Sequence, residues 1–249
     1  MFSYVRFVTS YLKNHFKISI LSTQSKKMST VDQRICGLFG IIGGLLLFAG
    51  DMLIYYLGDS TDLLLNMGNV SEQRILFSGL TALLAAWFYT LGLGQIHFAF
   101  SSSKKLLRRI VVLSFGAILV AYGVIHAGFM AIATSAQLAV NNDLDLAVTT
   151  ALARQIDELL RLLIYPLFAL CSVVFIIQVW KKKTHYPRWI LFFFPLIPFG
   201  LKSFFEQILE GSIWTIVIGG YYNLMLVLFF TASTIALWNK KQTTNNLSS

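Results

Sequence analysis

Asp51 lies in the middle of an apolar stretch, LLLFAGDMLIYYLG, which covers residues 45–58. An ionised carboxylate at the centre of a membrane helix costs about 2.5–3.5 kcal/mol. The sequence therefore predicts a polar partner or a water-filled cavity around this side chain. Tyr55 follows four residues later on the same helix face, where its hydroxyl can donate a hydrogen bond to Asp51.

Other apolar stretches carry polar side chains at a comparable predicted depth. His126 lies four residues after Tyr122, and Glu206 lies four residues after Lys202, so each pair shares a helix face. Five of the six predicted helices direct such a group into the same half of the bundle. We therefore predict one ligand pocket, formed by Asp51, Tyr55, Tyr122, His126, Glu158, Arg161, Lys202, Glu206 and Asn223.

Three functions fit this set of residues. In a binding or transport protein for a small or amphipathic ligand, Asp51 and His126 would couple binding to protons, while Arg161 and Lys202 would hold an anionic group. In a membrane-embedded enzyme acting on a lipid or isoprenoid, Asp51 and His126 would be the catalytic acid and base. In a structural or assembly protein the same groups would only join helices. We favour binding or transport because no nucleophile motif accompanies the acid–base pair.

Sequence motifs for cofactors and metals are absent from the chain. It contains no HExxH, GxSxG, phosphate-binding loop or dinucleotide fingerprint. His97 and His126 lie at different predicted depths, and Cys36 and Cys171 form no CxxC pair. We therefore expect no cofactor and no metal site, and we interpret both cysteines as packing residues.

The composition is that of a membrane protein. Hydrophobic residues make up 56% of the 249 positions and charged residues 12%, with a mean hydropathy of +0.69, whereas a soluble protein has about a quarter charged residues. A helix needs roughly 20 residues to cross the apolar core of a bilayer. The prediction is an all-α integral membrane protein, a bundle of six transmembrane helices at residues 36–58, 75–100, 110–137, 156–180, 188–206 and 212–238. Pro195 and Pro198 should kink the fifth of these.

The net charge of +9 follows from the loops. Basic residues concentrate before the first span, between spans 2 and 3, between spans 4 and 5, and after the last span. By the positive-inside rule both termini are cytoplasmic. Anionic membrane lipids are then the partners of these loops, and no nucleic-acid partner is needed. Six short helices without a visible repeat would need to pair as a homodimer for transport.

The predicted organisation is a basic cytoplasmic segment at residues 1–35, a transmembrane domain at 36–238 and a cytoplasmic tail at 239–249. The first 27 residues hold five basic residues and no acidic one. They fit an organelle transit peptide, an amphipathic helix on the inner leaflet, or an extension upstream of an alternative start at Met28. We favour the extension. The predicted location is the bacterial inner (plasma) membrane, or an organelle membrane if the segment is a transit peptide.

Overall fold

The structure is a computed structural model that describes residues 30–58 and 60–240. Most of the predicted N-terminal segment and nearly all of the predicted tail lie outside these residues, so the three interpretations of the first 27 residues stay predictions. Within the described ranges every regular element is helical. The prediction of an all-α protein is therefore confirmed.

Long apolar helices dominate the first part of the fold. These are α1 (Thr30–Tyr55), α3 (Glu72–Ala99), α4 (Lys105–Asn141) and α5 (Leu146–Trp180), with the short α2 (Leu63–Asn69) between α1 and α3. Each of the four long helices is long and apolar enough to cross a membrane. They correspond to the first four predicted spans and identify a membrane-embedded helical protein.

The last part of the fold is broken into shorter segments. Two of them meet at Gly220 with a bend of 65° and together are long enough for one more span. The described residues thus contain four helices that are long and apolar enough to span a membrane, or five if the bent pair is one span, and the predicted count of six is not confirmed. The segments are a 3₁₀ helix (Arg188–Phe193), α6 (Leu196–Gly200), α7 (Lys202–Ile208), α8 (Gly211–Gly219) and α9 (Tyr221–Leu237).

The predicted fifth span, residues 188–206, is not one helix. The 3₁₀ helix ends at Phe193, Pro195 precedes the first residue of α6, and Pro198 lies inside that short helix. Proline has no backbone N–H and clashes with the preceding turn, so two prolines three residues apart prevent a continuous helix. The sequence predicted a kink here, and the structure has a complete interruption.

The two ends of the described chain lie together. The Gln33 side-chain amide donates hydrogen bonds to the carbonyl groups of Leu237 and Lys240, each at 2.9 Å. Arg34 donates to the carbonyl of Trp238 at 2.7 Å. The start of α1 is therefore held against the end of α9.

The basic loops lie at this same end of the bundle. The backbone N–H of His185 donates to the Ala99 carbonyl at 2.8 Å, and the Ser103 hydroxyl donates to the Lys183 carbonyl at 2.6 Å. These bonds join the α3–α4 turn to the loop that follows α5. One end of the bundle thus gathers Arg34, Lys104, Lys105, Arg108, Arg109, Lys181, Lys182, Lys183, Arg188 and Lys240.

Aromatic side chains fill the core between this basic end and the polar site. The rings of Phe175 and Phe194 stack with centroids 4.2 Å apart, and Phe229 packs 5.5 Å from Phe115. All four are buried. Helices in a membrane are held together by close packing rather than by exclusion of water. This cluster therefore fixes α4, α5 and α9 relative to one another below the site.

Candidate functional site

The centre of the site is a contact between Asp51 of α1 and His126 of α4. The imidazole Nδ1 lies 3.0 Å from the carboxylate Oδ1, and the two side chains are 2% and 4% exposed. The ring is turned so that Nδ1 makes no well-aligned hydrogen bond to the carboxylate. The amide of Asn223 in α9 donates to Asp51 Oδ2 at 2.6 Å. Two other helices thus supply the polar partners that the buried carboxylate requires.

Ser78 of α3 continues the chain of polar groups. Its hydroxyl oxygen is 3.0 Å from His126 Nε2 and 2.9 Å from the carbonyl oxygen of Gly50. The order Ser78–His126–Asp51 is that of the nucleophile, base and acid in serine hydrolases. Ser78 is fully buried, however, and does not line the cavity described below. Its hydroxyl therefore orients the imidazole and is not placed to attack a ligand.

The single hydroxyl proton of Ser78 limits how the cluster can be protonated. If Ser78 donates to His126 Nε2, the neutral imidazole carries its proton on Nδ1, facing Asp51. If Ser78 donates to the Gly50 carbonyl instead, its oxygen must accept a hydrogen bond, so Nε2 must carry a proton. Nδ1 then faces the carboxylate of Asp51, and a second proton is needed between these two acceptors. The two arrangements of the same heavy atoms differ by one proton.

Gly50 permits the close approach of three helices. A Cβ atom built at this position would overlap Thr81 Oγ1 of α3 and lie 2.6 Å from His126 Nε2 of α4. Any larger residue would force the side chains of Thr81 and His126 out of their present positions. The glycine immediately before Asp51 is therefore what lets the imidazole reach the carboxylate.

A cavity of about 320 Å³ opens next to the Asp51 cluster. This is within the usual size range of small-molecule sites. Tyr55 lies on the cavity wall. In the described structure the predicted hydrogen bond from its hydroxyl to Asp51 is not formed, and Asn223 donates to Asp51 instead. Seven of the nine predicted residues line this cavity: Asp51, Tyr55, Tyr122, His126, Arg161, Lys202 and Asn223.

Arg161 of α5 faces the cavity from an ion pair. Its Nε donates to Asp157 Oδ2 at 2.7 Å, and its guanidinium lies 5.4 Å from the ring centre of Phe129. Glu158, which the sequence predicted to line the pocket three residues before Arg161, is not the partner of Arg161 in this ion pair. Glu158 is exposed and does not line the cavity. Asp157, four residues before Arg161, shares its helix face, whereas Glu158, three residues before it, points outward.

Lys202 and Glu206 form an ion pair at the predicted spacing of four residues. Lys202 lines the cavity and lies 5.9 Å from the ring centre of Tyr222, whereas Glu206 does not line it. Glu206 therefore touches the site only through its ion pair with Lys202. Asp157 and Glu206, the acidic partners of Arg161 and Lys202, both lie outside the cavity wall.

A second, more apolar cavity of about 400 Å³ adjoins the first. The two share Tyr122, Ile125, Arg161 and Tyr222 as a common wall. Tyr165 and Leu196 line the second cavity and are 61% and 42% exposed, so it opens to the outer surface of the bundle. The remaining walls are Ile118, Ile164, Phe168, Phe199 and Gly200.

Three features of the site were not predicted from the sequence: Ser78, Asp157 as the partner of Arg161, and the whole apolar cavity. Asp157 had a usable signal, because it lies four residues before Arg161 in an apolar helix. Ser78 had only its polarity within a long apolar run. No group of three or more histidine, cysteine, aspartate or glutamate residues that could hold a metal ion occurs in the described ranges.

Comparison with known proteins gives one match. Residues 26–240 match DUF6796, which is described as a family of unknown function. No curated protein and no solved structure matches the chain. The family description assigns no activity, and the geometry of the site is the remaining indication of function.

Proposed function

We propose that this chain, which belongs to the DUF6796 family, is a multi-pass membrane protein that binds or transports a small or amphipathic ligand in the polar cavity. The observation that carries this proposal is the unsatisfied polarity of the cavity wall. Asn223 lines the cavity, is 5% exposed, and its Oδ1 has no hydrogen-bond partner among the residues that the structure describes. A buried acceptor without a donor costs about 1–3 kcal/mol, and a bound ligand would supply that donor.

We propose that the basic end of the bundle faces the cytoplasm and that the cavity opens in the opposite half. The gathering of the basic loops at one end supports this orientation. Asp51 lies four residues before the end of α1 at Tyr55, so the cavity is far from that basic end. The proposed location is the bacterial inner (plasma) membrane.

A membrane-embedded enzyme is the second candidate function. The contact between His126 and Asp51 favours it, because a carboxylate beside an imidazole is a common acid–base pair. The burial of Ser78 removes the obvious nucleophile, so such an enzyme would have to activate water or a group of the substrate itself. A purely structural role for the cluster remains the third candidate.

Mass spectrometry of the molecules that co-purify with the protein tests the proposal. The wild type is compared with Asp51→Asn and Asn223→Leu, each checked for folding by thermal unfolding. Ser233→Ala is the matched control, because Ser233 belongs to a fully buried polar cluster with Gln95 and Tyr186 away from the cavity.

A species retained by the wild type and Ser233→Ala, and lost from both cavity variants, supports ligand binding. Equal recovery of every species from all four proteins contradicts it. Loss of stability in the cavity variants without any change in bound species favours the structural role.

A further inference from the structure

We propose that the ligand is a membrane amphiphile with an anionic head that also carries a hydroxyl or amine donor, and with a hydrocarbon chain that occupies the apolar cavity between α5 and α6. This inference rests on the proposed function and adds the chemical class of the ligand. It also assigns the route of entry, which is sideways from the lipid through the opening between Tyr165 and Leu196.

The continuity of the two cavities is the first argument. Tyr122, Arg161 and Tyr222 contribute to the walls of both, so one molecule can extend from one cavity into the other. Each cavity has the volume of a small-ligand site, about 320 Å³ and about 400 Å³. A long ligand with two chemically different ends fits this shape.

The polar cavity determines the chemistry of the head. Arg161 uses Nε for Asp157, and its two Nη groups have no hydrogen-bond partner within the described ranges. A guanidinium with its Nη donors available matches the oxygen atoms of a phosphate or carboxylate. Lys202 adds a second cation to the same wall.

On the opposite side of this cavity, hydrogen-bond acceptors of the protein require a donor from the ligand. Asn223 Oδ1 is buried and has no partner in the described part of the chain, and the amide nitrogen of Asn223 already donates to Asp51. Asp51 beside it also accepts hydrogen bonds. A head that carries only an anion would leave these acceptors unsatisfied, so the ligand presents a hydroxyl or amine there as well.

The apolar cavity determines the chemistry of the tail. The rings of Phe168 and Phe199 stack with centroids 5.6 Å apart, and Ile164 lies beside them on the wall. The opening lies on α5, a helix long and apolar enough to cross a membrane. A solute entering there comes from lipid rather than from water.

The gap between α5 and α6 follows from the interruption at the two prolines. A continuous helix over residues 188–206 would pack along α5, but α6 has only five residues. Gly200, the last of them, lines the apolar cavity and has open space where a Cβ atom would be. The missing side chain leaves room for the ligand tail.

Native mass spectrometry of the full chain with three probes tests the inference. Lysophosphatidate carries a phosphate, a hydroxyl and one acyl chain; glycerol 3-phosphate lacks the chain; monoacylglycerol lacks the phosphate. The variant Gly200→Leu adds a bulky side chain to the wall of the apolar cavity. Gly128→Leu is the matched control, because Gly128 also has open space at its Cβ position and lines neither cavity.

The expected result is that lysophosphatidate binds more tightly than either other probe. Gly200→Leu weakens it by about tenfold or more, a loss easily resolved in dissociation constants, while Gly128→Leu leaves it unchanged. Arg161→Gln weakens lysophosphatidate and glycerol 3-phosphate but not monoacylglycerol. Arg161→Lys, which keeps the charge and loses the planar donors, gives an intermediate affinity.

Two results would overturn the inference and leave the proposed function standing. The first is lysophosphatidate binding that depends on Arg161 but is unaffected by Gly200→Leu. The second is glycerol 3-phosphate binding as tightly as lysophosphatidate, which would identify a water-soluble phosphate as the ligand. Binding of no probe, or probe binding unaffected by both Arg161→Gln and Asn223→Leu, would contradict the polar cavity as a binding site.

Discussion

His126 Nδ1 lies 3.0 Å from Asp51 Oδ1, and the imidazole of His126 is held from its other side by the Ser78 hydroxyl. The carboxylate is thus compensated by a group that can itself carry a positive charge. An arginine or lysine would neutralise Asp51 permanently, whereas an imidazole exists in a neutral and a charged form.

The coupling between these two side chains can be measured. We expect Asp51→Asn and His126→Gln each to lower the free energy of unfolding by about 1–3 kcal/mol, since each leaves a buried polar group with a poorer partner. The double variant should lose less than the sum, with an interaction of about 0.5–3 kcal/mol. Thermal unfolding in detergent of the four proteins gives this value. Strict additivity would show that the contact carries no energy.

Gly50→Ala should disrupt the packing of three helices. The added methyl group would overlap Thr81 Oγ1 and approach the imidazole, so we expect a loss of about 1–3 kcal/mol. Gly128→Ala, where nothing lies near the new Cβ atom, should be neutral or stabilising. Thr81→Ala should partly restore the stability of Gly50→Ala. The contact is misassigned if both glycine variants unfold at the same temperature.

Ser78 should not behave as a nucleophile. Its hydroxyl is fully buried, so a fluorophosphonate probe should leave it unmodified in the folded protein. Ser78→Ala should reduce ligand binding only a few-fold, because the imidazole loses one hydrogen bond of about 0.5–1.5 kcal/mol. A covalent adduct on Ser78 in a peptide map would instead favour the enzyme.

His185, in the loop after α5, should make stability depend on pH. Its Nε2 lies 2.9 Å from the Ser101 hydroxyl and its ring stacks on Phe98. Partial burial, and secondarily the charge of Lys240, hold its pKa below the ordinary value of 6.5. The unfolded chain therefore takes up this proton more readily, and the contribution of His185 is present above pH 6.5 and is lost as the pH falls through that value.

The measurement compares thermal unfolding of the wild type and His185→Gln at pH 7.5 and at pH 5.5. We expect the wild type to lose more stability than the variant on acidification. An equal loss in both proteins would assign the pH dependence to other groups.

Thiol labelling tests the proposed orientation in the membrane. In a background of Cys36→Ser and Cys171→Ala, Arg161→Cys should react with a membrane-impermeant reagent added outside, since Arg161 lines the cavity. Lys182→Cys, in the basic loop after α5, should react only from the inside. The reverse pattern would invert the orientation.

The sequence predicted how far along its helix each polar residue lies. It predicted only partly in which direction around the helix axis each side chain points. Counting residues from the ends of apolar runs predicted correctly that Asp51, His126 and Asn223 lie at one level. The partner of Arg161 depended on which of Asp157 and Glu158 faces inward, a rotation of about 100° that an apolar helix pattern leaves undetermined. The apolar cavity was out of reach, because it arises where Pro195 and Pro198 remove a helix that the hydropathy pattern predicts.

The lengths of α4 and α5 have a consequence for the water side of the protein. With 37 and 35 residues they extend over about 55 Å and about 52 Å, whereas the hydrocarbon core is about 30 Å thick. The hairpin they form is longer than the hydrocarbon core is thick, so an upright hairpin extends beyond the core. Gly68 of α2 packs against this hairpin, with the Ala136 carbonyl oxygen 3.1 Å from where its Cβ would lie. The short helix α2 therefore packs on the part of the hairpin that is distant from the basic loops, close to the end of α4 at Asn141.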